Sequence, residues 1–234
     1  MAIETSSCWS CGDMRAAHFC HACGKVQPPA PVDYFAFFGM PRKLNLDEAR
    51  LEREFYDLSR KLHPDLNARA DKREQEWSLE QSSLLNDAYR TLKDPIKRTQ
   101  YLLGLEGVEL EEQSKSATEK ARAAGVVKKQ IVPPGLLEEV FELNMQLEEA
   151  RMNKKMGEDD AALVKDLEGH KARFEEKHEE LSQQLTDHWG EWDQALDSQS
   201  EESRQRALDG MVDLLNRRSY IRNLVRDVNE VLED

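Results

Sequence analysis

Residues 51–93 read LEREFYDLSRKLHPDLNARADKREQEWSLEQSSLLNDAYRTLK, and the stretch His63-Pro64-Asp65 within them decides the fold. A proline here ends the helix that precedes it, because its ring clashes with the previous turn and it has no N–H to donate. The same ring disfavours the helical conformation of His63. Helical patterns lie on both sides, so we expect a loop that carries an imidazole and a carboxylate between two helices.

The run before this loop, from Asn45 to Leu62, has the spacing of an amphipathic helix. Asn45 together with Glu48, or Asp47 alone, would cap its first turn. The apolar face consists of Leu51, Phe55, Leu58 and Leu62. The opposite side is basic, with acidic residues interleaved, and its cations are Arg50, Arg53, Arg60 and Lys61. That side is either a docking surface or a solvated face of mixed charge.

The run after the loop predicts a second helix of opposite chain direction. Its apolar stripe consists of Trp77, Leu84, Leu85, Ala88 and Leu92. Asp94-Pro95 then has the pattern of a helix cap followed by proline at the first helical position. The short helix that starts there has Tyr101, Leu102 and Leu105 on its apolar side.

Two antiparallel helices with His63-Pro64-Asp65 at their tip and a short helix behind them resemble the J domain, over residues 32–105. The resemblance includes Asp33-Tyr34-Phe35, Asn86-Asp87-Ala88-Tyr89, Asp94-Pro95, Arg98 and Tyr101. J domains bind 70-kDa heat-shock chaperones of the DnaK or HscA type and stimulate their ATP hydrolysis. The resemblance implies that such a chaperone is bound by His63, Pro64, Asp65, Arg53, Arg60 and Lys61, the basic residues acting through charge complementarity.

Composition favours an all-helical chain without a nucleic-acid partner. Charged residues make up 34% of the 234 residues and aromatic residues 7%, which is typical of helical proteins. A formal net charge of −13 argues against nucleic-acid binding, which requires a basic surface. No apolar stretch is long enough to span a bilayer, so no membrane partner is expected. Glu4 and the early cysteines fit neither a signal nor a transit peptide, so we expect a bacterial cytoplasmic protein, with the mitochondrial matrix as the alternative.

The four cysteines lie in two CxxCG motifs, Cys8 to Gly12 and Cys20 to Gly24. Two such motifs at short spacing predict one tetrahedral metal site with the ligands Cys8, Cys11, Cys20 and Cys23. We expect one structural Zn²⁺, with iron as the alternative. The glycine after each second cysteine lets the chain turn back and leaves its N–H to bond a sulfur.

Other uses of these cysteines are disfavoured. A disulfide framework would require secretion, which nothing suggests, and a thiol-redox enzyme would require a βαβ pattern around a CxxC. Because four thiolates complete a site, His18 and His21 are expected at the surface. Pro28-Pro29-Ala30-Pro31 predicts a stiff spacer behind the cysteine module.

The helix predicted after Pro133-Pro134 carries two apolar stripes. The first consists of Leu136, Val140, Leu143, Leu147 and Ala150, and the second of Leu137, Phe141 and Met145. A surface helix needs only one stripe to reach its core. The second stripe is therefore either part of a broad core face or an exposed patch for a protein partner.

Two more long helices are predicted, the first from about Asp159 and the second opened by a cap at Ser198 with Glu201. His170, His178 and His188 interleave with the apolar stripe of the first and are interpreted as structural residues. Together these helices predict an antiparallel three-helix bundle. The predicted domains are a zinc module (1–27), a spacer (28–32), a J domain (33–105), a linker (106–132) and the bundle (133–234).

A cysteine module beginning Cys-Trp-x-Cys-Gly, a J domain opening Asp-Tyr-Phe and a three-helix bundle together resemble the HscB-type J proteins. These are co-chaperones without catalytic activity that serve iron–sulfur cluster assembly, and their bundle binds a cluster scaffold protein of the IscU type. The resemblance implies that the scaffold contacts Leu137, Glu138, Phe141, Glu142, Asn144, Met145 and Tyr220. Asn144 and Met145 depart from the Arg-Glu pair of some members. A J-domain adaptor for a different client protein is the alternative.

Overall fold

The computed structural model describes residues 7–14, 17–108, 110, 135–158 and 160–233. Over these residues the chain is helical and has no strand, apart from one isolated bridge between Phe19 and Val26. The predicted all-α fold class is therefore confirmed. The chain forms two compact units, Met1–Glu106 and Gly107–Asp234. No helix within the described ranges has the length and apolarity needed to cross a membrane.

The described residues of the first unit form four helices: α1 (Tyr34–Phe37), α2 (Glu48–Leu62), α3 (Lys72–Lys93) and α4 (Pro95–Leu105). Of the two caps predicted for α2, the structure uses Asp47, whose carboxylate accepts from the N–H of Arg50 at 2.9 Å. Asp94 caps α4, as predicted, by accepting from the N–H groups of Ile96 and Lys97. Both carboxylates satisfy backbone donors that have no partner within the helix.

The core of the first unit lies between α2 and α3. Its fully buried side chains include Leu51, Leu62, Leu85, Ala88 and Leu92. Phe55 stacks on Tyr89 with ring centroids 4.0 Å apart. Tyr34 stacks on Tyr101 at 4.3 Å and donates its backbone N–H to the Tyr101 hydroxyl at 3.0 Å. These ring pairs connect α2 to α3 and α1 to α4.

In the described part of the second unit there are three long helices: α5 (Leu137–Met156), α6 (Ala161–Ser198) and α7 (Glu201–Glu233). The connections between them are short, so consecutive helices run antiparallel, as predicted. The predicted cap at Ser198 with Glu201 is wrong. Ser198 is the last residue of α6, and the hydroxyl of Ser200 instead accepts from the N–H of Ser203 at 3.3 Å. A serine does cap the helix, but two residues later than predicted and with Ser203 rather than a glutamate at the third position.

The bundle core contains the first apolar stripe of α5. The stripe and its buried partners on α6 and α7 are Leu136, Val140, Leu143, Leu147, Ala150, Leu163, Leu167, Phe174, Tyr220, Ile221, Leu224, Val228 and Val231. Most of the predicted linker, residues 106–132, lies outside the described residues, and the predicted domain limits stay a prediction.

The three histidines of α6 are structural residues. His170 is 3% exposed, and its Nδ1 lies 2.8 Å from Arg173. Burial, and then the charge of Arg173, lowers the pKa of His170. Burial and Arg218 lower the pKa of His178 in the same direction. His188 lies 2.8 Å from Glu191. Within the described part of the chain, none of the three belongs to a group of side chains arranged to hold a metal.

Candidate functional site

The His63-Pro64-Asp65 loop projects its polar side chains into solvent. The side chains of His63 and Asp65 are 54% and 90% exposed. His63 follows the last residue of α2 with an extended backbone, at φ −60° and ψ 129°, as expected for a residue before proline. Its Nδ1 accepts from the N–H of Asp65 at 3.2 Å. The imidazole is therefore oriented by its own loop, while about half of the side chain stays exposed to solvent.

Three polar side chains that the sequence analysis did not single out hold this loop. Asn67 donates to the carbonyl of His63 and to the Ser78 hydroxyl, each at 3.1 Å. Ser78 and Ser82, on α3, donate to the carbonyl of Leu62 at 2.7 and 2.6 Å. They satisfy a carbonyl group that the end of α2 leaves without a helical partner. The sequence signal for these hydrogen bonds is a pair of serines four residues apart, on the face of α3 that packs in the core.

The basic residues of α2 next to the loop are exposed. Arg60 pairs with Asp57 on its own helix at 2.9 Å, with side chains 76% and 60% exposed. Arg53 lies two helical turns before Arg60, so both cations project to the same side. Lys61 is exposed as well. The predicted chaperone-binding cations are thus exposed, with Asp57 compensating part of their charge, and their role stays a prediction.

The four cysteine sulfurs converge, and they all lie within 4.8 Å of one another. The Sγ atoms of Cys8 and Cys23 are 3.7 Å apart, and those of Cys11 and Cys20 are 3.5 Å apart. A tetrahedral ion with metal–sulfur bonds of about 2.3 Å requires sulfurs about 3.8 Å apart. Disulfide bonding would instead bring two sulfurs to about 2 Å. The site therefore fits a metal ion held by four thiolates.

The two CxxCG turns are built by their glycines, although not as predicted. Gly12 and Gly24 have φ of 76° and 72°, a conformation that side chains disfavour. Their N–H groups donate to the carbonyls of Cys8 and Cys20 at 3.0 and 2.8 Å, and not to sulfur. Other backbone N–H groups reach the sulfurs, among them that of Ser10, 3.4 Å from the Sγ of Cys8. Burial opposes ionisation of Cys8, but backbone N–H groups and neighbouring thiols bring its pKa down to about 6.

The cysteine module packs directly on α3, so the predicted spacer does not hold it apart. Trp9 meets Trp77 edge to face at 5.6 Å, and Arg73 lies over both rings. His18, expected at the surface, is instead partly buried and packs against Phe37, with ring centroids 4.3 Å apart and planes tilted by 49°. That expectation was wrong because a histidine that binds no metal can still pack against an aromatic ring, as His18 does. His21 is exposed, as expected.

Buried polar groups complete this contact. Glu74, on α3, is 4% exposed, pairs with Lys25 and accepts from the N–H of Val26 at 3.3 Å. Gln81, one per cent exposed, donates to the carbonyl of Gln27 at 2.7 Å and faces a ring nitrogen of His18 at 2.8 Å. Such groups are costly to bury unless they are paired. The cysteine module therefore supplies the hydrogen-bond partners that the buried Glu74 and Gln81 of α3 require.

Replacing Glu74 by alanine is expected to destabilise the first unit by about 1–3 kcal/mol, because the buried N–H of Val26 loses its acceptor. The measurement is the free energy of unfolding in denaturant for the intact chain. Glu76→Ala, at an exposed position on the same helix, is the matched control and should change stability little. Equal stabilities for the two variants would contradict the role given to Glu74.

On α5, the second apolar stripe is exposed rather than part of the core. Leu137, Phe141 and Met145 are 66%, 67% and 60% exposed. Of the two interpretations left open by the sequence, the exposed patch is thus the one observed. The polar residues predicted with them, Glu138, Glu142 and Asn144, are exposed too. Tyr220 differs: it is 9% exposed and packs in the bundle core, so its ring is not part of this exposed surface.

Comparison with known proteins agrees with both units. The family model of the DnaJ domain matches residues 33–101. The chain is 35% identical to the iron–sulfur cluster co-chaperone protein HscB homolog of Arabidopsis thaliana over 146 residues, and 33% identical to mouse HscB over 162 residues. The crystal structure of human HscB covers 95% of this chain and 96% of its own, with a TM-score of 0.60 and 25% identity. In sequence and in structure, the chain is therefore similar to the HscB-type J proteins.

HscB from Vibrio cholerae is also similar in structure, with a TM-score of 0.51 and 26% identity over 86% of this chain and 98% of that one. In sequence, the chain spans 52% of the length of the Arabidopsis relative and 63% of the mouse HscB. The HscB resemblance predicted from the cysteine, J-domain and bundle motifs is thereby confirmed.

Proposed function

We propose that this HscB-type chain is a co-chaperone that binds an iron–sulfur cluster scaffold protein and stimulates ATP hydrolysis by a 70-kDa heat-shock chaperone. In doing so it promotes cluster assembly and transfer, and it catalyses no reaction itself. The observation that carries the proposal is the exposed apolar stripe of α5 in a chain whose other unit presents a His63-Pro64-Asp65 loop. One unit offers a surface for a client and the other a trigger for a chaperone.

The chaperone side of the proposal rests on charge and exposure. A chaperone of the DnaK or HscA type would meet His63 and Asp65 at the loop and Arg53, Arg60 and Lys61 along α2. Exposed cations beside a fixed loop favour fast and oriented association more than high affinity. The cytoplasmic location, with the mitochondrial matrix as the alternative, stays a prediction.

The ion in the four-cysteine site is proposed to be one Zn²⁺ with a structural role. Four thiolates at tetrahedral spacing suit zinc, and an ion of this kind supplies folding energy and no redox chemistry. Two of the ligands, Cys8 and Cys20, are buried, which favours a closed structural site. Iron is the alternative, and metal analysis of protein purified without chelator distinguishes the two.

The scaffold side predicts a large loss of binding when two exposed side chains of α5 are removed. A Leu137→Ala/Phe141→Ala variant is expected to bind an IscU-type scaffold protein at least tenfold more weakly, because exposed apolar anchors dominate such interfaces (about 1–4 kcal/mol each). Isothermal titration calorimetry with the intact chain measures this. Both side chains are about two thirds exposed, so helicity should not change.

Val164→Ala is the control, since this residue is 44% exposed on α6. It should leave scaffold affinity unchanged. Failure of the folded wild-type chain to bind any scaffold protein would contradict the proposal and would favour the adaptor for a different client.

A further inference from the structure

The exposed apolar face of α5 does not end with the residues implied by the family resemblance. Met152 and Met156 lie about two and about three helical turns beyond Met145, and each is 59% exposed. With about 100° between successive residues, all five exposed apolar side chains from Leu137 to Met156 fall within an arc of about 100°. They line one side of α5 over about 28 Å. An open groove runs along the C-terminal part of this face, from Phe141 to Met156.

We call Met152 and Met156 the methionine extension of the exposed apolar face. One flank of this face is acidic. Glu138, Glu142 and Glu149 lie along the same edge of α5, and Glu138 and Glu149 are about 16 Å apart along the helix axis. Among the described residues, no ion pair involves any of these three carboxylates. The opposite flank is mixed, because Glu148 pairs with Arg151 at 3.1 Å and Lys155 follows. The acidic edge is therefore the part of this surface whose negative charge has no cation of this chain paired with it among the described residues.

These features define the chemistry of the occupant. Methionine side chains are flexible and polarisable, so they adapt to an irregular apolar partner. The carboxylate edge calls for lysine or arginine beside those apolar groups. If a second copy of this chain bound here, two such carboxylate edges would face each other and repel. The formal net charge of −13 on each copy would add to this repulsion. The surface thus fits a different protein with an apolar and basic segment.

We infer that Met152 and Met156, with the carboxylate edge of α5, bind a second segment of the cluster scaffold protein, one that carries apolar side chains beside lysine or arginine. This inference rests on the proposed function, since the scaffold is already the proposed occupant of Leu137 and Phe141. The extension lengthens the proposed scaffold-binding stretch of α5 from about 12 Å to about 28 Å. It also adds Glu149 to the carboxylates Glu138 and Glu142 that the resemblance already implies.

The test is calorimetric titration of an IscU-type scaffold protein into the intact chain carrying Met152→Gln/Met156→Gln. Glutamine keeps the length and helix propensity of methionine but is polar. We expect binding about fivefold to twentyfold weaker than that of the wild type. Val164→Gln, on α6, is the matched control and should bind as the wild type does.

A second variant tests the charge. Glu149→Gln should slow association with the scaffold about threefold at low salt, and the difference should vanish in high salt, where exposed charges are screened. Salt-independent rates would contradict the role of the carboxylate edge.

The outcomes separate the inference from the proposed function. Wild-type affinity in the methionine variant, combined with lost binding in Leu137→Ala/Phe141→Ala, would overturn the inference and leave the proposed function intact. No binding by the wild-type chain would overturn both. A methionine variant that keeps its scaffold affinity but changes its sedimentation behaviour would assign the surface to self-association and overturn the inference.

Discussion

His63→Gln is expected to abolish stimulation of the chaperone ATPase, with the hydrolysis rate returning to the value measured for the chaperone alone. Glutamine approximates the size of histidine, but it cannot carry a positive charge and it lacks the second nitrogen of the planar imidazole ring. The side chain is 54% exposed and only its Nδ1 is used within the loop. Unfolding free energy should therefore change by less than about 0.5 kcal/mol.

The assay is a single-turnover ATPase measurement on a DnaK- or HscA-type chaperone with increasing amounts of the chain. His21→Gln is the matched control, the same replacement at an exposed position of the cysteine module, and it should stimulate fully. Scaffold binding by His63→Gln should also be normal, because the proposed scaffold residues lie on α5. Full stimulation by the folded His63→Gln variant would refute the role proposed for the loop.

Removing the metal is expected to unfold the cysteine module and to weaken α3 with it. A four-cysteine site commonly supplies about 10–16 kcal/mol of binding energy, and a short module has little core to replace it. Unfolding of the cysteine module would expose Glu74 and Gln81, which are nearly fully buried. We expect the first unit to melt at least about 5 °C lower, which corresponds to about 1 kcal/mol in a domain of this size.

Thermal unfolding and amide hydrogen exchange of α3, before and after chelation, measure this effect. Zinc added back in stoichiometric amount should restore both, which excludes damage by the chelator. In the bundle, exchange of α7 serves as the internal reference and should not change. Undiminished protection of α3 in metal-free protein would mean that the module holds its contacts without the ion.

Apolar periodicity predicted the helices and much of the core from the sequence. Leu143 and Leu147 of α5 are buried, as their spacing predicts, while the exposure of Phe141 is one of the two interpretations that the spacing left open. Even the surplus stripe could be recognised, because one helix face cannot supply two sets of core residues. Local chemistry also predicted the cap of α4 at Asp94.

Contacts between distant parts of the chain could not be predicted in this way. Glu74 and Gln81 have the polarity of surface residues, and only the module folded over them explains their burial. His18 was misjudged for the same reason. Ser78 and Ser82 hold the carbonyl of Leu62 across a separation of 16 and 20 residues, for which no local pattern exists.

The cover that the cysteine module forms over α3 limits how this protein can be divided. A J domain excised at the proline-rich segment would expose Trp77 to water beside an unpaired carboxylate at Glu74. Such a fragment would be prone to aggregate and would understate the activity of the intact unit. Chimaeras that transfer chaperone recognition to another client-binding bundle should therefore begin before Cys8 and be prepared with metal.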